Sequence, residues 1–68
     1  MILRSLTPRE TEVLKLLAHG LTNRQIACEL YISANTAAFH VQHVIEKLGV
    51  ADRTQATSRA AELSLVVN

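Results

Sequence analysis

The side chains with chemistry to offer gather between Thr22 and Arg53. Asn35 and Gln42 each carry an amide that can accept from adenine N6 while donating to N7. Phe39 stands between them, and a phenyl ring there can lie against a thymine methyl group. Ala38 and His43 share that flank. Thr22, Asn23, Arg24, Ser33, Thr36, Lys47 and Arg53 are of the types that hold phosphate oxygens. The predicted chemistry is contact with base edges and a phosphate chain. Each residue also has a plainer use. Thr22 and Ser33 are explained as helix caps, and Arg24 and Lys47 as solvated cations. Arg53 can pair locally with Asp52 or Glu46, and Phe39 can face a protein partner.

Other chemistries find no support. The serines lack a histidine and acid in a recognisable motif, and there is no glycine-rich phosphate loop, so no enzyme is predicted. His40 and His43 lie one helical turn apart, and Cys28 falls on the preceding helix. Zinc needs a spaced set of ligands that is missing, so neither metal nor cofactor is expected. His40 is predicted to pack inward and hydrogen-bond to backbone, and His43 to stay exposed. Cys28 should be accessible, with no nearby cation to make its thiolate. His19 reads as a helix-end residue, favourable to the dipole when protonated.

These residues need helices to position them. Thr22 and Gln25 form a capping box, followed by Ile26, Ala27 and Leu30 on one face. Tyr31 and Ile32 fill a turn. Ser33 caps a longer helix that Gly49 stops with a left-handed residue. At ~100° per residue, Ala37, His40, Val41, Val44 and Leu48 face inward. Asn35, Ala38, Phe39, Gln42, His43 and Glu46 then face outward. A short helix, a tight turn and a longer helix make a helix-turn-helix, whose second helix can enter a DNA major groove.

The flanking segments supply the frame. Thr7-Pro8-Arg9-Glu10 is a strong helix start, with Thr7 as N-cap, Pro8 at the first position and Glu10 closing the capping box. Val13, Leu14, Leu16 and Leu17 form its buried stripe, leaving Arg9, Glu12 and Lys15 solvated. Gly20 ends it, and Leu21 plugs the core. Asp52 caps a last helix that turns Ala56, Ala60 and Leu63 inward. The spacing predicts an all-α, four-helix domain with helices near 8–19, 23–30, 34–48 and 53–65, a lead-in at 1–6 and a tail at 66–68.

Sixty-eight residues are expected to make a single domain, 1–68, with a small core; a receiver or sensory domain does not fit within them, which leaves open one that precedes them in a longer protein or a stand-alone regulator. Almost half are apolar, yet Phe39 and Tyr31 are the only aromatics, so the core must be Leu, Ile, Val and Ala. One cysteine rules out an intrachain disulfide and fits a reducing, cytoplasmic setting. No apolar run approaches the ~20 residues of a membrane span. The net charge is only +1, which predicts weak DNA binding by the domain alone, since phosphate contacts supply most affinity.

Taken together, Leu6-Thr7-Pro8-Arg9-Glu10, Val13-Leu14, Gly20-Leu21-Thr22-Asn23, Ile26-Ala27, Ile32-Ser33, Thr36, His40, Lys47-Leu48-Gly49-Val50, Arg53 and Ala56 resemble the LuxR/GerE-type helix-turn-helix domain. That domain also forms the C-terminus of NarL/FixJ-type response regulators. The resemblance covers about residues 6–65. It implies a transcriptional regulator with its third helix in the major groove of double-stranded DNA. It also implies a homodimer through the fourth helix, where Thr57, Ala61, Ser64 and Leu65 share a face of mostly small residues. RNA polymerase is a further candidate partner; a small-molecule ligand or a membrane is not expected. The chain departs from the family pattern in Ala37, usually valine, and Ala38, very often lysine. With Gln42, these leave the outward face without the family's usual cations. The alternative function is a protein-interaction or dimerisation module with weakened DNA binding.

Overall fold

The computed structural model describes residues 6–67, with side chains described for 6–63. Four helices follow in order: α1 (Pro8–Ala18), α2 (Asn23–Leu30), α3 (Ala34–Leu48) and α4 (Arg53–Val67). No strand occurs among the described residues.

Local chemistry sets each boundary. At the start of α1 the Thr7 hydroxyl accepts from the Glu10 N–H at 3.1 Å, and Glu10 Oε1 accepts from the Thr7 N–H at 2.9 Å. The reciprocal pair satisfies two amides that the helix itself cannot. Thr22 and Gln25 repeat the arrangement at α2, at 3.2 and 2.8 Å. Asp52 Oδ1 caps α4 by accepting from the Gln55 N–H at 2.9 Å.

Helix α1 ends at Ala18, one residue before the expected end, because His19 leaves helical geometry (φ −86°, ψ 0°). Gly20 then turns left-handed at φ 77°. The N–H groups of Gly20 and Leu21 reach back to the Leu17 and Leu16 carbonyls at 2.8 and 3.4 Å, closing a Schellman motif. Helix α4 continues to Val67, so Val66 and Val67 are helical rather than tail.

Helix α1 packs mainly on α4 and α3, and α2 packs on α3. The core is Leu6, Val13, Leu14, Leu17, Ile26, Ala27, Ala37, Val41, Val44, Leu48, Ala56 and Ala60. Leu16, Leu21, Leu30, Ile32 and Leu63 are half-buried against it. No helix among the described residues is long and apolar enough to cross a membrane.

Candidate nucleic-acid interface

Tyr31 and Ile32 occupy the turn between α2 and α3 as expected, with the Tyr31 side chain projecting outward, 95% exposed. The Tyr31 backbone is left-handed, at φ 57° and ψ 44°. The Tyr31 N–H donates to the Cys28 carbonyl at 3.4 Å, and the Ile32 N–H to the Ala27 carbonyl at 3.0 Å. This is a second Schellman motif with tyrosine where glycine is usual. It lets the chain pass from α2 to α3 in three residues and seats Ile32 against the core.

Ser33 then caps α3. Its Oγ accepts from the Thr36 N–H at 3.1 Å and donates to Thr36 Oγ1 at 2.9 Å. From there the helix divides by face. Ala37, Val41, Val44 and Leu48 are buried, while Asn35, Phe39, Gln42, His43 and Glu46 are exposed and Ala38 is half-buried. Phe39 is 67% exposed. Its ring centroid lies 5.6 Å from that of His43, with the planes tilted by 54°. The five residues expected at base edges therefore lie on one helix face, and two of them, Phe39 and His43, bring their rings into contact.

His40 is half-buried and makes no hydrogen bond with a described residue, so the expected backbone bond is missing. The histidine that bonds to backbone is His19, whose Nδ1 lies 2.8 Å from the Lys15 carbonyl. Cys28 is an exposed free thiol. No group of metal-ligating side chains occurs among the described residues.

The residues expected at phosphates divide into two groups. Thr22, Arg24, Ser33 and Thr36 are exposed at the starts of α2 and α3. Asn23, Arg53 and Lys47 are engaged within the fold. Arg53 does not pair with Asp52 or Glu46. Its guanidinium donates to Asn23 Oδ1 at 2.5 Å and to the Leu21 carbonyl at 2.7 Å, pinning the start of α4 to the start of α2. Lys47 Nζ donates to Glu10 Oε1 at 2.7 Å.

From the sequence, Glu10 is expected to close the capping box and complement the positive end of α1. In the fold its side chain is 6% exposed, and Lys47 is its ion-pair partner. Its second oxygen, Oε2, lies 3.8 Å from His43 Nδ1. The hydrogen bond from Lys47, followed by that from the Thr7 N–H, holds the carboxyl below its ordinary pKa, against the opposing effect of burial. A signal was present: Glu10 precedes Val13, Leu14 and Leu17 at the spacing of one helical face, so it belongs to the buried stripe.

Four helices, a tight left-handed turn and a polar outward face on the third helix describe a helix-turn-helix. Residues 4–60 match the family described as GerE, bacterial regulatory proteins of the luxR family. The chain belongs to the LuxR/GerE family. This LuxR-type domain is similar to the transcriptional regulatory protein LiaR of Bacillus subtilis, 47% identical over 62 residues, which are 91% of this chain and 29% of LiaR. It is also similar to LnrK of the same organism, 54% identical over 54 residues, covering 79% of this chain and 24% of LnrK. The solved structure of the transcription factor GerE superposes with a TM-score of 0.70 at 37% identity, covering 87% of this chain and 88% of that one. The chain thus spans under a third of the length of LiaR and LnrK. Fold and family together make it a helix-turn-helix DNA-binding domain of the LuxR type.

Proposed function

We propose that the domain directs a transcriptional regulator to specific DNA, with α3 docked in the major groove. The observation that carries this is the division of α3. Its apolar side is spent on the core, while Asn35, Ala38, Phe39, Gln42 and His43 are left on a face with no packing duty that requires amides or a histidine. Asn35 and Gln42 pair with adenine edges, and Phe39 covers thymine methyl groups, so the preferred half-site is A/T-rich. Thr22, Arg24, Ser33 and Thr36 meet phosphates from exposed positions at two helix starts. Asn23, Lys47 and Arg53 approach the backbone from the edges of that surface while remaining tied to the fold.

The regulator acts as a homodimer through α4, where Thr57 is half-buried and Ala61 exposed. Ser64 and Leu65 continue that helix, but their side chains lie outside the described residues. RNA polymerase is the candidate contact once the dimer sits on its two half-sites. The working compartment is the cytoplasm, and the domain performs no catalysis.

A second reading, a protein-interaction module with weakened DNA binding, draws on two facts. Phe39 is widely exposed, and the net charge is only +1. Salt separates the two. Fluorescence anisotropy with a mixed-sequence duplex, repeated across a salt series, should give binding that falls steeply as salt rises. It should weaken further when Arg24 and Lys47 become alanine. Failure to bind at low salt, both as the isolated domain and as a covalently forced dimer, would favour the interaction module. Selection of G-rich half-sites would overturn the A/T assignment.

A further inference from the structure

We propose that Glu10 is a positioning residue that fixes His43 as its Nδ1–H tautomer, leaving Nε2 as an acceptor for the exocyclic amino group of adenine or cytosine. The base-reading half of this rests on the DNA function proposed above; the tautomer half does not.

The argument begins with how Glu10 divides its two oxygens. Oε1 is taken twice, by the Thr7 N–H at 2.9 Å and by Lys47 Nζ at 2.7 Å. Oε2 is left on the side of α3 and lies 3.8 Å from His43 Nδ1. That separation is too long for a good hydrogen bond but short for electrostatic orientation. The carboxylate cannot swing away, because its side chain is buried and Oε1 is fixed by donors from α1 and α3. Lys47 and Glu46 line the same cleft as Glu10 and His43. From α1 the ring faces a carboxylate; from its own helix it is flanked by a carboxylate and by an ammonium already turned to Glu10 Oε1.

A neutral imidazole carries one proton, on whichever nitrogen has the better acceptor beside it. An anionic oxygen near Nδ1 draws the proton there, and Nε2 keeps its lone pair. The ring is half-exposed, with its side chain 51% accessible, and leans on Phe39 at 5.6 Å on the outward face of α3. An acceptor on that face selects a base that offers a donor in the major groove. Only adenine N6 and cytosine N4 do so. The buried cap of α1 thereby reaches the reading surface through one carboxylate.

The test starts without DNA. Imidazole nitrogen shifts of the domain labelled with 15N-histidine, in mildly alkaline buffer and assigned with His43→Asn, report the tautomer directly. The wild type should show Nδ1–H at His43. Glu10→Gln keeps an oxygen for the Thr7 N–H but turns an NH2 toward His43, so the ring should change to Nε2–H. Nε2–H in the wild-type domain would overturn the proposal, and that measurement stands even if Glu10→Gln fails to fold.

Binding then tests the reading. In a selected duplex, each adenine is replaced in turn by purine, which lacks the N6 amino group, and each cytosine by an analogue lacking N4. One replacement should weaken the wild type about tenfold and leave His43→Ala unaffected. Glu10→Gln should lose the same discrimination, on top of any change common to all duplexes that follows from releasing Lys47 from its ion pair. Equal loss on every duplex would mean that Glu10 is merely structural and would overturn the positioning role. An Nδ1–H ring in a domain without salt-dependent DNA affinity would overturn the DNA function, and with it the role of Nε2.

Discussion

Lys47 Nζ lies 2.7 Å from Glu10 Oε1, so the last turn of α3 is tied to the first turn of α1. The pair holds the Glu10 carboxyl below its ordinary value of 4.5. As acid is added, the unfolded chain takes up this proton before the folded one does. The contribution is therefore complete above 4.5 and fades as pH falls from there through the lowered value in the fold. Glu10→Gln should cost about 1 kcal/mol at neutral pH, below the usual ~1.5–3 kcal/mol of a charged hydrogen bond because Lys47 is partly solvated. It should also flatten the acid limb of stability against pH, measured by urea melts at several pH values. An unchanged acid limb would show that the pair adds nothing.

Tyr31 is the one non-glycine residue of left-handed backbone among those described. Such geometry costs a side-chain-bearing residue about 1–2 kcal/mol. Its ring is almost fully exposed, so removing it sacrifices no packing. Tyr31→Gly should raise stability by about 0.5 kcal/mol, after allowing for the extra freedom glycine gives the unfolded chain. That corresponds to a rise of a few °C in Tm. Tyr31→Ile should lower it, since a branched Cβ fits this region poorly.

Arg53 bonds to Asn23 and Leu21 and so joins α4 to the entry of α2. Arg53→Ala should cost roughly 1–3 kcal/mol by leaving the Leu21 carbonyl without its donor. Asn23→Ala should cost less, and the double variant less than the sum, because the two share one bond. If Arg53 serves the fold first, its loss should change the salt slope of DNA binding less than loss of Arg24 does. A larger change for Arg53 would rank it as the stronger phosphate contact.

Phe39 and Arg24 should separate base reading from phosphate affinity. Both are exposed, so alanine at either should leave stability within about 0.5 kcal/mol. Arg24→Ala should weaken binding to all sequences and reduce the salt slope by about one. Phe39→Ala should instead weaken A/T-rich duplexes selectively and abolish any preference for thymine over uracil, which lacks the methyl group. Equal affinity of the wild type for thymine and uracil duplexes would remove the phenyl ring from the readout.

Helix boundaries were legible because they are written locally. Thr7 with Glu10, Thr22 with Gln25, Ser33, and the glycines at 20 and 49 act within a turn of where they stand, and the buried stripes follow from helical spacing. The division of α3 into two faces was legible for the same reason. What escaped is the pairing of side chains far apart in the chain. Glu10 meets Lys47 across 37 positions, and Arg53 meets Asn23 across 30, and periodicity carries no record of either. Tyr31 escaped differently: the left-handed residue of a helix end is signalled by glycine, and here that signal is missing.

The separation of faces on α3 bears on how a regulator of this build can change its targets. Ala37, Val41, Val44 and Leu48 hold the helix in place, and Asn35, Phe39 and Gln42 have no share in that task. If these side chains read bases as proposed, descendants of one ancestral gene can drift to new operators through single substitutions at these three sites without loss of the core that holds α3. The freedom stops at position 43, where the outward ring adjoins the buried carboxylate of Glu10. A lineage that changes His43 must also accommodate Glu10 and Lys47, so these three positions should be inherited together.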